Sequence, residues 1–429
     1  MRNKGLVQPL ATTAKFTIIR AILCAGAAFV GACAAPLGGP TVATGSVEPG
    51  AAAGGGAEQR KPAADRRSER VAKVALLLPI TGPAQTAVIA KAMKQAGEMA
   101  LFDAGSQTFQ LMVKDDRGTP EGAAAAAEEA VKDGAELIIG PLFATSVRAV
   151  SPVAQRVGIP VVAFSNDAQV AGRGVYLMSF LVTQDINRII AYSAAHGRKR
   201  FAALVPDDAY GRLMGEAFRQ AVSANGGSVK AFEAYPPSAN AMLEPARRLV
   251  DTMKRADEDG EPVDAVFLPG GPDTLPGLGP LVTYARMDLT RIKLLGTGGW
   301  DYPGVGREAA FVGGWFPAPE PRGWQEFSER FGRTFGAAPP RIASLSYDAV
   351  TMAVQLAANP AGARFTAANL TRPAGFSGAD GPVRLRADGL ADRSLAILEV
   401  QKLGVNLLEP APADFAPSKL SSTGGQSVN

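Results

Sequence analysis

Residues 136–167 read ELIIGPLFATSVRAVSPVAQRVGIPVVAFSND, one strand–helix–strand unit. Leu137, Ile138 and Ile139 form an apolar run too short for a helix and cut off by Gly140-Pro141. Ile159 through Phe164 is a second such run, opened by Gly158 and closed by Ser165, Asn166 and Asp167. Between them Ala149, Val150, Val153, Ala154 and Val157 recur at helical spacing. Continuous apolar runs joined by a helix are parallel strands buried on both faces. Their ends face one crevice, where open α/β sheets take ligands. Thr145 and Ser146 stand at the helix entry, where unpaired N–H groups and the dipole favour an anionic or carbonyl ligand. The same residue types are also ordinary helix caps.

The pattern repeats outward from this unit. Before it, residues 74–80 (VALLLPI) read as a buried strand, followed by a helix with Val88, Ile89, Ala92, Met93, Ala96 and Ala100 on one face. A strand at 109–113 and an Ala-rich helix at 121–132 follow. After the unit, strands at 200–206, 229–235, 265–268 and 292–295 alternate with helices at 185–196, 212–224 and 242–255. Helices are expected at 324–335 and 343–358, then a β-hairpin pairing 383–386 with 395–400 through Asp388-Gly389. The fold class is therefore α/β, two doubly wound parallel-sheet lobes.

Length and charge narrow the function. A chain of 429 residues suits two lobes. Arg2, Lys4, Lys15 and Arg20 precede Cys33 with no acid among them, and they account for the whole formal charge of +4. The rest of the chain is neutral, so no nucleic-acid partner is expected. Those cations form the basic start of a leader, continued by the apolar AILCAGAAFVGA of residues 21–32. Val30-Gly31-Ala32-Cys33 resembles the lipobox of bacterial lipoproteins, which makes Cys33 the expected lipidation site and residues 1–32 a signal peptide. Residues 33–70 are rich in Gly, Ala and Pro and read as a flexible tether. Ala34 after the cysteine favours the periplasmic side of the outer membrane by resemblance to the enterobacterial sorting rule.

Catalytic chemistry is poorly supplied. The one histidine, His196, precedes Gly197 at a helix end and reads as a cap. Cleavage of the leader would remove Cys24; one His and one acylated Cys then leave no His/Cys metal cluster, and no Walker loop or nucleophile elbow appears, so neither enzyme activity nor a cofactor is expected. Asp115-Asp116 and Asp207-Asp208 are strand-end carboxylates, best read as solvated loops. What remains is a ring of strand-end loops carrying Thr81, Thr145, Ser146, Ser165, Asn166, Tyr210 and Trp300, suited to a small ligand or a partner's loop.

LLLPITGP, IIGPLFATS, IPVVAFSND, LVPDDAYG, LPGGPDT, LLGTGGWD and ASLSYDAV together resemble the type I periplasmic-binding proteins of the leucine/isoleucine/valine-binding family, over roughly residues 71–400. The likeness is greatest to its lipoprotein branch, which includes the penicillin-binding-protein activators. The resemblance implies a three-strand hinge, with crossings near Val182, Ala318 and Arg372. The first lobe would then take 71–182 and 318–372, and the second 183–317 and the hairpin 373–408, with 409–429 a loose tail. It implies ligand roles for Thr81, Thr145, Ser146, Ser165, Asn166, Tyr210, Gly271, Trp300 and Asp301. It also puts Asp167 near the ligand's carboxylate, where like charges would repel. Two functions follow from the resemblance. The first is a lipid-anchored activator of a peptidoglycan synthase. The second is a receptor that hands a small amino-acid-like ligand to an ABC permease.

Overall fold

The strand β1 (Ala72–Leu78) sends Val74, Leu76 and Leu78 to one buried face and Ala75 and Leu77 to the other. Such a strand must lie mid-sheet with helices on both sides. The computed structural model describes residues 71–236, 241–284, 286–413 and 415. In it β1 pairs in parallel with β2 (Phe109–Asp115) and β3 (Leu137–Ile139), and β4 (Val161–Ala163) and β5 (Val175–Leu177) extend the sheet in the order β2-β1-β3-β4-β5. Helix α1 (Ala84–Ala104) packs Ala90, Met93 and Ala100 on the Leu76 face. Helices α2 (Pro120–Lys132) and α3 (Ala144–Val157) cover the Leu77 face through Ala123, Ala127, Val147 and Val150.

Gly140 ends β3 at φ 88, and a Cβ there would lie 2.2 Å from the Leu77 carbonyl oxygen. Only glycine fits a left-handed turn pressed against backbone. That turn delivers the chain to the start of α3.

The second lobe begins with α4 (Val182–Ala195). Its sheet contains β6 (Arg200–Pro206), β7 (Ser228–Tyr235), β8 (Ala265–Phe267), β9 (Lys293–Leu295) and β10 (Trp315–Ala318), all parallel. Helices α5 (Ala209–Ala224), α6 (Leu243–Glu258) and α7 (Leu275–Tyr284) connect the strands. The sequence leads to strands at 265–268 and 292–295 with no helix between them. Pro276, Gly277, Gly279 and Pro280 hide α7, whose Leu275, Leu278 and Val282 are nevertheless buried.

Beyond β10, α8 (Pro321–Phe335) and α9 (Ala343–Ala357) return to the first lobe. Phe327 and Phe331 pack on Ala92 and Ala96 of α1, and Leu345, Ala349 and Met352 join the β1 core. The end of the chain departs from the expected hairpin. β11 (Phe376–Gly378), β12 (Gly381–Leu385) and β13 (Ala391–Arg393) make a separate antiparallel sheet. Its Phe376, Val383, Leu385 and Ala391 are buried with the first lobe. β14 (Ala396–Val400) then pairs with β10 in the second sheet, followed by β15 (Val405–Glu409). The third crossing therefore lies near Ser394, not near Arg372, and residues 376–393 belong with the first lobe. Two short hairpin arms of similar composition do not reveal which sheet each one joins. Glu409, expected at the start of a loose tail, closes an edge strand and pairs with Arg188.

Two crossings are tied together by one side chain. The Gln184 amide donates to the Ala391 carbonyl and accepts from the Arg393 N–H at 3.1 Å. Cys33, the leader and the tether lie outside the described residues.

Candidate functional site

The carboxyl ends of the second sheet and the hinge enclose a cavity of about 520 Å³. Pro206 follows β6, Pro269, Gly270 and Gly271 follow β8, Thr297, Gly298 and Gly299 follow β9, and Pro317, Ala318 and Pro319 close β10. The two glycine loops touch backbone to backbone. A Cβ on Gly299 would stand 2.2 Å from the Gly270 carbonyl oxygen. These loops therefore leave space where larger residues would fill it. The first lobe contributes Asn166, Phe180 and Arg341.

Charge in the cavity is uneven. Asp185, on the first turn of α4, accepts a 2.8 Å hydrogen bond from the Gly298 N–H. Burial nonetheless pushes its carboxyl up to about 7, because one backbone donor does not replace lost hydration. Asp208 is the cap of α5 and accepts from the Gly211 N–H at 2.6 Å. Tyr210, 47% exposed, stands in the same wall. Burial first, then Asp185 and Asp208, push its phenol up to about 12, so it remains a neutral donor.

On the opposite side Asp301 meets Arg341, with Nη1 to Oδ2 at 3.1 Å. The other arm of Arg341 lies 2.8 Å from Asp380, whose side chain is fully buried. The guanidinium also sits 4.5 Å from the Trp324 ring centroid. Burial raises Asp301, while Arg341 pulls it back down and Asp380 pushes it up. Behind this pair Ser344 donates to Asp380, and Arg393 reaches Asp348 at 3.3 Å. Arg393 also stacks 4.8 Å from the ring of Phe180 in the cavity wall.

Of the residues singled out from sequence, Asn166, Tyr210, Gly271 and Asp301 come together in this wall. Five do not. Thr81 is exposed, and its hydroxyl donates to Asp115 at 2.5 Å, a tie between strand ends. Thr145 is exposed outside the cavity, and Ser146 is fully buried beneath the helix start. Ser165 is buried and accepts from the Asp167 N–H at 3.1 Å. Trp300 is fully buried core. Its indole donates to the Leu268 carbonyl at 3.0 Å and its ring fills the space that a Cβ on Gly296 would need. Asp167 does not line the cavity either. Arg148 holds it at 2.8 Å, and its other oxygen accepts from the Gln169 N–H at 3.0 Å.

Sequence reasoning missed Asp185 and Arg341. Asp185 looks like an ordinary first-turn acid, favoured there by the helix dipole. Arg341 follows Pro339-Pro340 with no local pattern, and its partners lie 40 residues before it and 39 after it. His196 ends α4 as expected, its Nδ1 2.8 Å from the Tyr192 carbonyl oxygen. Among the described residues no group of three His, Cys, Asp or Glu side chains forms a metal site, and no helix is long and apolar enough to cross a membrane.

Comparison with known proteins agrees with this architecture. A putative branched-chain amino acid ABC transporter structure from Rhodospirillum rubrum superposes with a TM-score of 0.67 at 19% identity, covering 79% of this chain and 100% of that one. A branched-chain amino acid ABC transporter periplasmic ligand-binding protein from Burkholderia xenovorans gives 0.64 at 16% identity, covering 80% and 96%. A solute-binding protein from Rhodopseudomonas palustris, solved with 3,4-dihydroxybenzoic acid, gives 0.54 at 20%, covering 81% and 97%. An uncharacterized protein of Rickettsia prowazekii is 22% identical over 232 residues, which span 53% of this chain and 61% of that relative. The family described as periplasmic binding protein matches residues 71–404. With two parallel-sheet lobes around one cleft and a match over most of its length, this chain belongs to the periplasmic binding protein family.

Proposed function

We propose that this protein is an extracytoplasmic solute receptor that binds a small molecule between its lobes and delivers it to an ABC permease. The observation that carries this reading is the cavity of about 520 Å³, walled by strand ends of one lobe and by Arg341 and Asn166 of the other. A site built from both lobes couples ligand binding to hinge closure. Its size and mixed lining suit a small organic solute. The Burkholderia and Rhodopseudomonas proteins named above, described as binding proteins of ABC transporters, support the same reading. Activation of a peptidoglycan synthase rests on the sequence resemblance alone. Lipid anchoring at Cys33 is compatible with the receptor role and rests on the leader alone.

The test is thermal unfolding of the full chain against a panel of amino acids, amides, amines and aromatic acids, with small-angle scattering on any hit. A receptor melts higher and becomes more compact with its ligand. A panel without a hit, together with a synthase that co-purifies from detergent-solubilised membranes, would favour the activator.

A further inference from the structure

The cavity's charge defines what it can hold, granted the receptor reading above. Arg341 is the only cationic side chain in the described lining, and it already serves two carboxylates, Asp301 at 3.1 Å and Asp380 at 2.8 Å. Its guanidinium face is covered by Trp324. A ligand carboxylate would have to displace Asp301 to reach it. The start of α3, the other place for an anion, is not part of the wall, because Thr145 faces solvent outside it and Ser146 is covered.

Asp185 presents the opposite case. One of its oxygens accepts from Gly298, and no described cation pairs with the carboxylate. It faces a cavity large enough for a ligand, and Tyr210 beside it offers an aromatic face and a hydroxyl. An unpaired carboxylate in a partly closed cleft gains most from a cation that it can bond directly. We propose that the cleft takes a solute with an amine or other cationic group and no carboxylate, with Asp185 as its counter-ion and Tyr210 alongside.

Calorimetry on the full chain with leucinamide, leucine and 4-methylpentanoate tests this. The three share one aliphatic skeleton and differ in their charged groups; putrescine and agmatine extend the amine arm. The expected result is binding by an amine without a carboxylate, none by 4-methylpentanoate, and a loss of at least about tenfold in Asp185→Asn, the scale of one charge-assisted hydrogen bond. The comparison on the unmutated chain holds even if that variant folds poorly. Tighter binding of leucine or 4-methylpentanoate than of any such amine overturns the charge assignment and leaves the receptor standing. Amine binding unchanged in a folded Asp185→Asn does the same. No binding by any of the five overturns the assignment, and the receptor reading falls separately only if the wider panel also gives no hit.

Discussion

Arg341 and Asp301 meet across the cleft at 3.1 Å, and no other ion pair among the described residues joins the two lobes. Arg341 comes from the first lobe, just ahead of α9, and Asp301 from the loop after β9 in the second. The pair is screened less than a surface pair, with 25% and 26% of the two side chains exposed. It acts as a clasp between the lobes in the cavity wall.

Removing the clasp leaves two acids without a cation. Arg341→Met strands fully buried Asp380 along with Asp301, so it should cost roughly 3–5 kcal/mol, the scale of breaking a buried pair. Adding Asp301→Asn and Asp380→Asn should recover most of that loss. Urea unfolding of the single and triple variants measures both. A triple variant no more stable than the single one would mean that Arg341 acts through its packing on Trp324 instead.

Asp185 should make stability depend on pH. Its carboxyl titrates at about 7 when folded, against 3.8 ordinarily. The folded chain thus keeps a proton that the unfolded chain has released between those values. Stability from this position is fully present below about pH 4 and is lost as pH rises through about 7. Asp185→Asn should therefore melt several degrees above the unmutated chain at about pH 8, and level with it near pH 4. Burial also raises the Asp348 carboxyl, against the pull of Arg393, but this shifts both proteins alike, so their difference isolates Asp185.

Trp300 belongs to the core, and its substitution should show that. Trp300→Ala should lose about 3–5 kcal/mol by opening a void against Phe311 and Phe316. Trp300→Phe should retain the cavity's ligand affinity within about twofold while the melting point falls. A large loss of affinity in a folded Trp300→Phe protein would place the indole in the ligand's path.

The leader supplies a separate test. Cys33→Ser should leave the chain unprocessed or free of the membrane, as judged by fractionation. A Cys33→Ser variant that is cleaved like the unmutated chain and still pellets with membranes would remove the anchor from the reading.

The repeated units were legible because each strand states its burial by itself. Leu137, Ile138 and Ile139 can serve only as an interior strand, and Gly158, at φ 72, closes the helix before the next one. The loops Pro269-Gly270-Gly271 and Thr297-Gly298-Gly299 could likewise be placed at a crevice, because they follow such strands. Which side chains turn inward was not legible. Trp300 and Ser146 differ from Asp301 and Asn166 only in where their neighbours lie, and those neighbours are remote in sequence. Electrostatic partners were hidden for the same reason. Nothing local tells that Arg148 engages Asp167 or that Arg341 stands between Asp301 and Asp380.

The return of α9 and β11–β13 to the first lobe fixes an order for biosynthesis. Val74, Leu76 and Leu78 emerge early from a ribosome, yet Leu345, Ala349, Met352, Val383 and Ala391, which cover them, are made some 270 residues or more later. Until then α1 alone covers that face of the first sheet, while β6 to β10 of the second lobe have already been made. A nascent chain that still lacks Leu345, Ala349, Met352, Val383 and Ala391 cannot complete this core partway through synthesis. The interrupted chain path that creates the hinge thus also makes the first lobe, begun first, the last to be completed.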